Sequence, residues 1–326
     1  MGRSGSGASH REPQGTGDRG KEQDVTADRR YLTPAAFRSA ADARIRATAR
    51  QVGRPFGELR REFLYQRFLA RVFARDPGLW VLKGGVGILA RFPGARHSRD
   101  IDLVHLDADP ASAEAELREI GRLDLGDHLR FEITRSVLLS VPDALRLKTA
   151  AYTGVTVWDN FDIDISCERH FVAEVQAVQP EPVLDIADMT ALPVFRLYPL
   201  TDQIADKVAA MYEKHGGTGA PSSRYRDLAD LILLISVEEI DAALLIAALR
   251  SREQHARNPV TLPTAMRAPG PGWSDGYPLE AKRSPLTAHL SRLDDALAHV
   301  GSCLNPVLAG TVTFGRWNPA ARRWET

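Results

Sequence analysis

Apolar side chains recur at helical spacing over residues 56–75, where Leu59, Phe63, Phe68 and Val72 form one stripe with Leu64 and Leu69 beside it. Upstream, Thr33-Pro34 places a capping hydroxyl before a proline at the first helical position and predicts a more polar helix to about Arg50. Asp76-Pro77-Gly78 stops the second helix. The apolar runs then shorten. Residues 79–82 read as a buried strand, Lys83-Gly84-Gly85 as a tight turn, and residues 86–92 as a short apolar helix ended by Pro93-Gly94. A strand is predicted over 101–106, a helix over 110–125, and further strands over 130–138, 144–157 and 161–166, with a short apolar segment at 195–198. Trp158 reads as a turn aromatic. From Thr201 the spacing turns helical again, with Thr201 as the cap of a helix over 202–214. A Gly-rich loop over 215–221 follows, then helices over 223–236 and 237–250, a Pro- and Gly-rich loop over 258–278 and a last helix over 285–303. Trp317 and Trp324 predict a tail that packs. No internal repeat is visible.

Strands mixed with helices, followed by helices alone, place the chain in the α/β (α+β) class: a mixed sheet with flanking helices, then a helical half. The division falls near Leu200, giving a core over 31–199 and a mainly helical domain over 200–326. Residues 1–30 are rich in Gly, Ser and charge and read as a disordered tail, because so little apolar surface cannot offset the entropy of ordering. Lys plus Arg equals Asp plus Glu at 42 each, so no global basic field exists and a nucleic-acid partner would need a local patch. The segment after Arg250 has a mild basic excess that permits such a path. Cys167 and Cys303 form no CxxC pair, which argues against a disulfide framework or a structural zinc site. His97 and His105 flank residues 100–102 at a spacing unlike a zinc site. No apolar run approaches the roughly 20 residues of a membrane span, and the first thirty positions lack a signal-peptide core, so a cytoplasmic protein without membrane partners is expected.

The chemistry concentrates in acids on strands. In Asp100-Ile101-Asp102 the two carboxylates share a strand face while Ile101 and Leu103 face the core. Like charges held together need a cation, and oxygen donors suit Mg²⁺ or Mn²⁺. The second alternating strand, Phe161-Asp162-Ile163-Asp164-Ile165, can supply a third metal ligand: Asp164, with Asp162 in reserve. Gly84 and Gly85, at a strand-to-helix junction, let backbone approach a phosphate in front of a helix N-terminus. The pattern is not a P-loop. Ser98, two residues before Asp100, points toward the acids and joins the nucleotide-binding candidates. Lys207, Arg224 and Asp227 lie on two consecutive helices. Lys207 is a compact cation suited to β- and γ-phosphates. Arg224 and Asp227 also fit an i,i+3 ion pair, and Asp230 fits a structural brace.

Leu82-Lys83-Gly84-Gly85, followed by Leu89, Arg96, Ser98, Asp100, Ile101, Asp102 and Leu103, resembles the signature of AbiEii/AbiGii-type toxins. These MenT-like enzymes belong to the DNA-polymerase-beta-like nucleotidyltransferase superfamily. Asp202 with Lys207-Val208-Ala209-Ala210, and Arg224 to Leu231, resemble two further motifs in the same order. The resemblance covers about residues 31–250. It implies that Asp100 and Asp102 hold metal, that Lys207 stands beside the triphosphate, and that Asp227 is the second-half acid needed for activity. It also implies that phosphorylation at the Ser98 position can silence the enzyme. Val86 departs from the family pattern, which often places a hydroxyl after the glycines, so that phosphate contact is missing here.

The leading expectation is therefore a metal-dependent nucleotidyltransferase that moves NMP from an NTP to an RNA acceptor, the tRNA 3′ end. It would block translation as the toxin of a type IV-like toxin–antitoxin or phage-defence system, with a cognate antitoxin as partner. The alternatives are transfer to a small molecule such as an aminoglycoside, or a catalytically silent binding module.

Overall fold

The computed structural model describes residues 31–75, 78–139, 143–167, 171–186, 189–215, 219–255 and 260–325. The tail expected over 1–30 lies outside these residues. The chain opens with helices α1 (Pro34–Val52) and α2 (Phe56–Arg75). Next come β1 (Trp80–Lys83), α3 (Gly84–Arg91), β2 (Asp100–His105) and α4 (Pro110–Ile120). Strands β3 (Leu129–Leu138), β4 (Ala144–Thr153), β5 (Thr156–Ser166), β6 (Gln176–Val178) and β7 (Phe195–Leu197) complete a sheet. Among the described residues this sheet has seven strands in the order β3-β4-β5-β2-β1-β7-β6. β2 runs parallel to β5, and β1 to β7; the remaining pairs are antiparallel, so the sheet is mixed as expected. The second half contains α5 (Leu200–Tyr212), the short pair β8 (Lys214–His215) and β9 (Ala220–Pro221), α6 (Tyr225–Val237), β10 (Ile240–Asp241) and α7 (Ala242–His255). It ends with α8 (Trp273–Ala281), α9 (Leu293–Leu308), β11 (Arg316–Asn318) and β12 (Arg323–Glu325). No helix among the described residues is long and apolar enough to cross a membrane.

Thr33 caps α1 as expected, its hydroxyl accepting from the Ala36 N–H at 3.2 Å. Thr201 does not cap: α5 already starts at Leu200 behind Pro199, whose φ of −55° is set for helix entry, and Thr201 is buried in the first turn. The single strand expected over 144–157 is two strands, because the chain reverses at Gly154 with φ +58°. β-branched residues on both sides of that glycine hide the turn from a periodicity reading. Trp158 accordingly sits inside β5, 4% exposed, edge-on to Phe37 and Phe63, with its Nε1–H on Asp42. The loop expected over 258–278 contains the start of α8, where Trp273 and Tyr277, four residues apart, are both buried and outweigh the local Gly and Pro. The last helix begins at Leu293 and runs to Leu308. The tail packs as expected: Trp317 is 1% exposed on β11 and donates to the Ile235 carbonyl.

Two apolar clusters hold the fold. One joins α1, α2, α4 and the inner face of the large sheet; the other joins α5–α9 and Trp317. Helix α3 belongs to both, with Val86 in the first and Ile88 and Leu89 in the second. The buried carboxylate of Asp127 receives Arg67 (2.8 Å) and Arg71 (2.6 Å) from α2 and ties that helix to the approach to β3.

Candidate active site

Strand register builds a charged sheet face. Lys83, Asp102, Asp164 and Arg146 lie side by side across β1, β2, β5 and β4. Asp100, Asp162, Lys148 and Arg135 form the neighbouring row across β2, β5, β4 and β3. The alternation that sends Ile101, Leu103, Ile163 and Ile165 into the core sends these residues to the opposite face. Arg146 grips Asp164 with two bonds of 2.7 and 2.6 Å and stands 3.8 Å from Asp100 and 3.9 Å from Asp162. Lys148 meets Asp162 at 2.6 Å. Opposite charges facing across strands each contribute about 0.2–1 kcal/mol, so the basic strand β4 offsets much of the repulsion among the four acids. The Asp164 and Asp102 pairing supports the reading of two acid strands sharing a face. Asp164, however, is engaged by Arg146 and would have to leave it to reach a metal.

Asp102 is the acid least relieved. Burial, then the neighbouring Asp100 charge, pushes its carboxyl up to about 6, against the opposing pull of Lys83. Its carboxylate lies against the start of α3: a Cβ built on Gly84 would come 1.8 Å from Asp102 Oδ2. Gly84 also has φ +65°, so both space and backbone demand glycine. A Cβ on Gly85 would meet Ser98 Oγ at 2.5 Å. The two glycines thus let the α3 N-terminus close down on Asp102 and Ser98, and that N-terminus has no side-chain cap, leaving its first N–H groups available to an anion. Gln203 from α5 donates to the Gly84 carbonyl at 3.0 Å and holds the turn. Ser98 is 4% exposed and its hydroxyl donates to the Asp100 carbonyl at 3.1 Å. Val86 is buried, so position 86 points into the core rather than toward a phosphate.

The second half contributes a chain of alternating charges. Arg96 binds Asp230 with two bonds of 2.8 and 2.6 Å. The Lys207 ammonium bridges Asp230 (2.6 Å) and Asp227 (3.1 Å), and Arg224 holds Asp227 at 2.5 Å. Burial alone would raise Asp227, but Lys207 and Arg224 outweigh it and hold the carboxyl below its ordinary value. For Lys207 burial pulls down, yet Asp230 and Asp227 push its ammonium above the usual range. Asp230 is 0% exposed and anchors the loop before β2 to α6, a brace as expected. The i,i+3 ion pair of Arg224 and Asp227 is present, but Asp227 is buried rather than on the surface. Arg224 is exposed, and the charge of Asp227, with a smaller contribution from Asp102, holds its guanidinium above the ordinary value.

Sequence reasoning missed Arg146 and Lys148, and it quoted Lys83 and Arg96 only as members of the signature, without a role. The first two were visible as charges two apart in an otherwise apolar strand, opposite the acids only once the hairpin register is known. His105 is structural, bonded to Glu116 and to the Asp107 and Ala108 amides. Asp202 is also structural, accepting the Val172 and Ala173 amides. Cys167 is half-buried at the end of β5.

The donor set at Asp100 and Asp102 fits a hard divalent cation: two carboxylates on one face, one of them strained upward by its neighbour, beside a glycine cradle that admits oxygen ligands. Among the described residues no group of three His, Cys, Asp or Glu side chains converges on a single metal position.

Residues 67–299 match the profile of a family described as nucleotidyl transferase AbiEii toxin, type IV TA system. Among solved structures the chain is similar to MenT4, the nucleotidyltransferase toxin Rv2826c from Mycobacterium tuberculosis H37Rv. That match has 16% identity and a TM-score of 0.49, and covers 82% of this chain and 98% of that one. It is also similar to JHP933 from Helicobacter pylori, at 14% identity and a TM-score of 0.42, covering 75% and 89%. No curated protein sequence matches the chain.

Proposed function

Because this chain belongs to the AbiEii family of nucleotidyltransferase toxins of type IV toxin–antitoxin systems, we propose that it transfers a nucleoside monophosphate from an NTP to an RNA 3′ end, that of tRNA. A cognate antitoxin would restrain it, and blocked translation in the cytoplasm would be the outcome. The observation that carries this reading is the Asp102 carboxylate seated against Gly84, beside Asp100, at an uncapped helix N-terminus. Asp100 and Asp102 would hold Mg²⁺ or Mn²⁺, which when bound stabilises charge on the reacting phosphoryl group. The first amides of α3 and the Arg224 guanidinium would bind the triphosphate, the amides through the open backbone that Gly84 and Gly85 provide. Lys207 supports this set from beneath: it fixes Asp227, which fixes Arg224. Ser98 orients Asp100.

The test is incubation of the purified protein with total tRNA, Mg²⁺ and each α-labelled NTP in turn. Label retained on RNA is expected for at least one NTP; absence of transfer with all four overturns the reading. A second expectation follows from the cradle. Gly84→Ala puts a methyl where the Asp102 carboxylate lies. Displacing that carboxylate by about 1 Å should slow transfer about a hundredfold or more. Transfer at the parent rate would show that Asp102 does not work from this position.

A further inference from the structure

We infer that the groove between the acid pair and edge strand β3 is the track of the acceptor RNA strand, its phosphates held by Arg99 and Arg135. The inference rests on the transfer reaction proposed above and assigns the second substrate its own surface. The groove is a cavity of about 410 Å³ lined by Arg99, Thr134, Lys148, Asn160 and Asp162, among others. It adjoins Asp100, whose chain neighbour is Arg99 and whose partner across the strands is Asp162. The glycine cradle, by contrast, attends Asp102. The acids therefore separate two approaches: one with a helix N-terminus for a triphosphate, and one that runs on to the open edge of the sheet. A mononucleotide needs no such continuation; a strand does.

A β-bulge supplies the charge. Between Ile133 and Arg135 the register of β3 slips by one residue. Without the slip Arg135 would follow Ile133 toward the core; with it, Arg135 faces outward directly opposite Lys148. Two cations facing each other across strands cost stability. Lys148 is answered by Asp162, and Glu132, the preceding acid on β3, is engaged by Arg130. Among the described residues Arg135 and Arg99 are both exposed, and neither meets a carboxylate. One guanidinium that lines the groove, Arg99, and one next to its lining residue Thr134 and opposite its lining residue Lys148, Arg135, fit successive phosphates of a single strand.

The experiment measures tRNA binding by anisotropy across a salt series, NTP binding by titration, and the KM for tRNA in transfer, for the parent, Arg135→Ala, Arg135→Lys and the Arg99→Ala/Arg135→Ala double variant. The double variant should bind tRNA about tenfold or more weakly, and its log–log salt slope should fall by about 1.4, since each phosphate contact on a single strand accounts for about 0.7. NTP binding should be unchanged, and Arg135→Lys should restore most of the RNA affinity. An unchanged tRNA affinity and slope in the double variant overturns the track while leaving the reaction standing, provided the parent labels tRNA. Conversely, a parent that binds tRNA through these arginines yet transfers nothing to it fails the reaction and keeps the track. Polyglutamate competing as well as tRNA, with the same dependence on Arg135, would reassign the groove to an acidic protein and also overturn it.

Discussion

Asp102→Asn should abolish nucleotide transfer and at the same time make the protein more stable at neutral pH. The carboxyl is pushed up to about 6 by burial and by Asp100, so ionising it costs free energy in the folded state that the unfolded chain does not incur. The sign follows from linkage. Between the ordinary carboxyl value of 3.8 and about 6 the folded protein holds more protons than the unfolded one, so stability falls as pH rises through that window. An asparagine side chain cannot ionise and escapes the loss. A shift of this size corresponds to at most about 3 kcal/mol. Thermal melts of the parent and the variant should therefore lie close together near pH 4 and diverge by pH 7.5, with the Asp102→Asn protein the more stable of the two. Transfer should drop by about a thousandfold or more, because several kcal/mol of charge stabilisation at the phosphoryl group leave with the carboxylate. Mg²⁺ should raise the melting temperature of the parent and leave that of the variant unmoved. A variant that transfers nucleotide at the parent rate would remove Asp102 from the metal site.

The second large effect is expected at Lys207. Its ammonium is the only cation that touches both Asp227 and Asp230 among the described residues, and all three side chains are buried. Lys207→Ala leaves two buried carboxylates sharing only Arg96 and Arg224. Breaking a buried pair in this way costs about 3–5 kcal/mol, and a lowered urea midpoint should report it. Lys207→Met, which keeps the packed stem and loses only the charge, should show most of the same loss. Weaker NTP binding should follow in both, through Arg224 losing its fixed carboxylate partner. A parent-like urea midpoint in both variants would mean that the charge chain adds nothing to the fold.

Much of this was legible in the amino-acid order. The alternation in Asp100-Ile101-Asp102 and in Asp162-Ile163-Asp164 disclosed strands with one acid face, because burial enforces the period of two on their apolar neighbours. What lay hidden was register. That Asp102 pairs with Asp164, and that Arg146 rather than a cation from solution answers Asp164, depends on a hairpin turning at Gly154, which β-branched neighbours mask. The bulge that turns Arg135 outward leaves no local mark either, since Thr134 and Arg135 suit either placement. In the second half, helical spacing located α5 and α6 but could not separate a lysine facing a phosphate from one bridging two acids. That distinction belongs to packing between helices, where Lys207 contacts both Asp227 and Asp230.

Helix α3 has a consequence for how activity arises during synthesis. Its Val86 completes one core while Ile88 and Leu89 need the other, which is assembled from residues beyond 200. Gln203, which pins the Gly84 carbonyl, also comes from beyond that point. A nascent chain that has released only its sheet still lacks the support that fixes its glycine turn. The glycine turn beside the acids is therefore completed only when the second half of the chain has packed against α3.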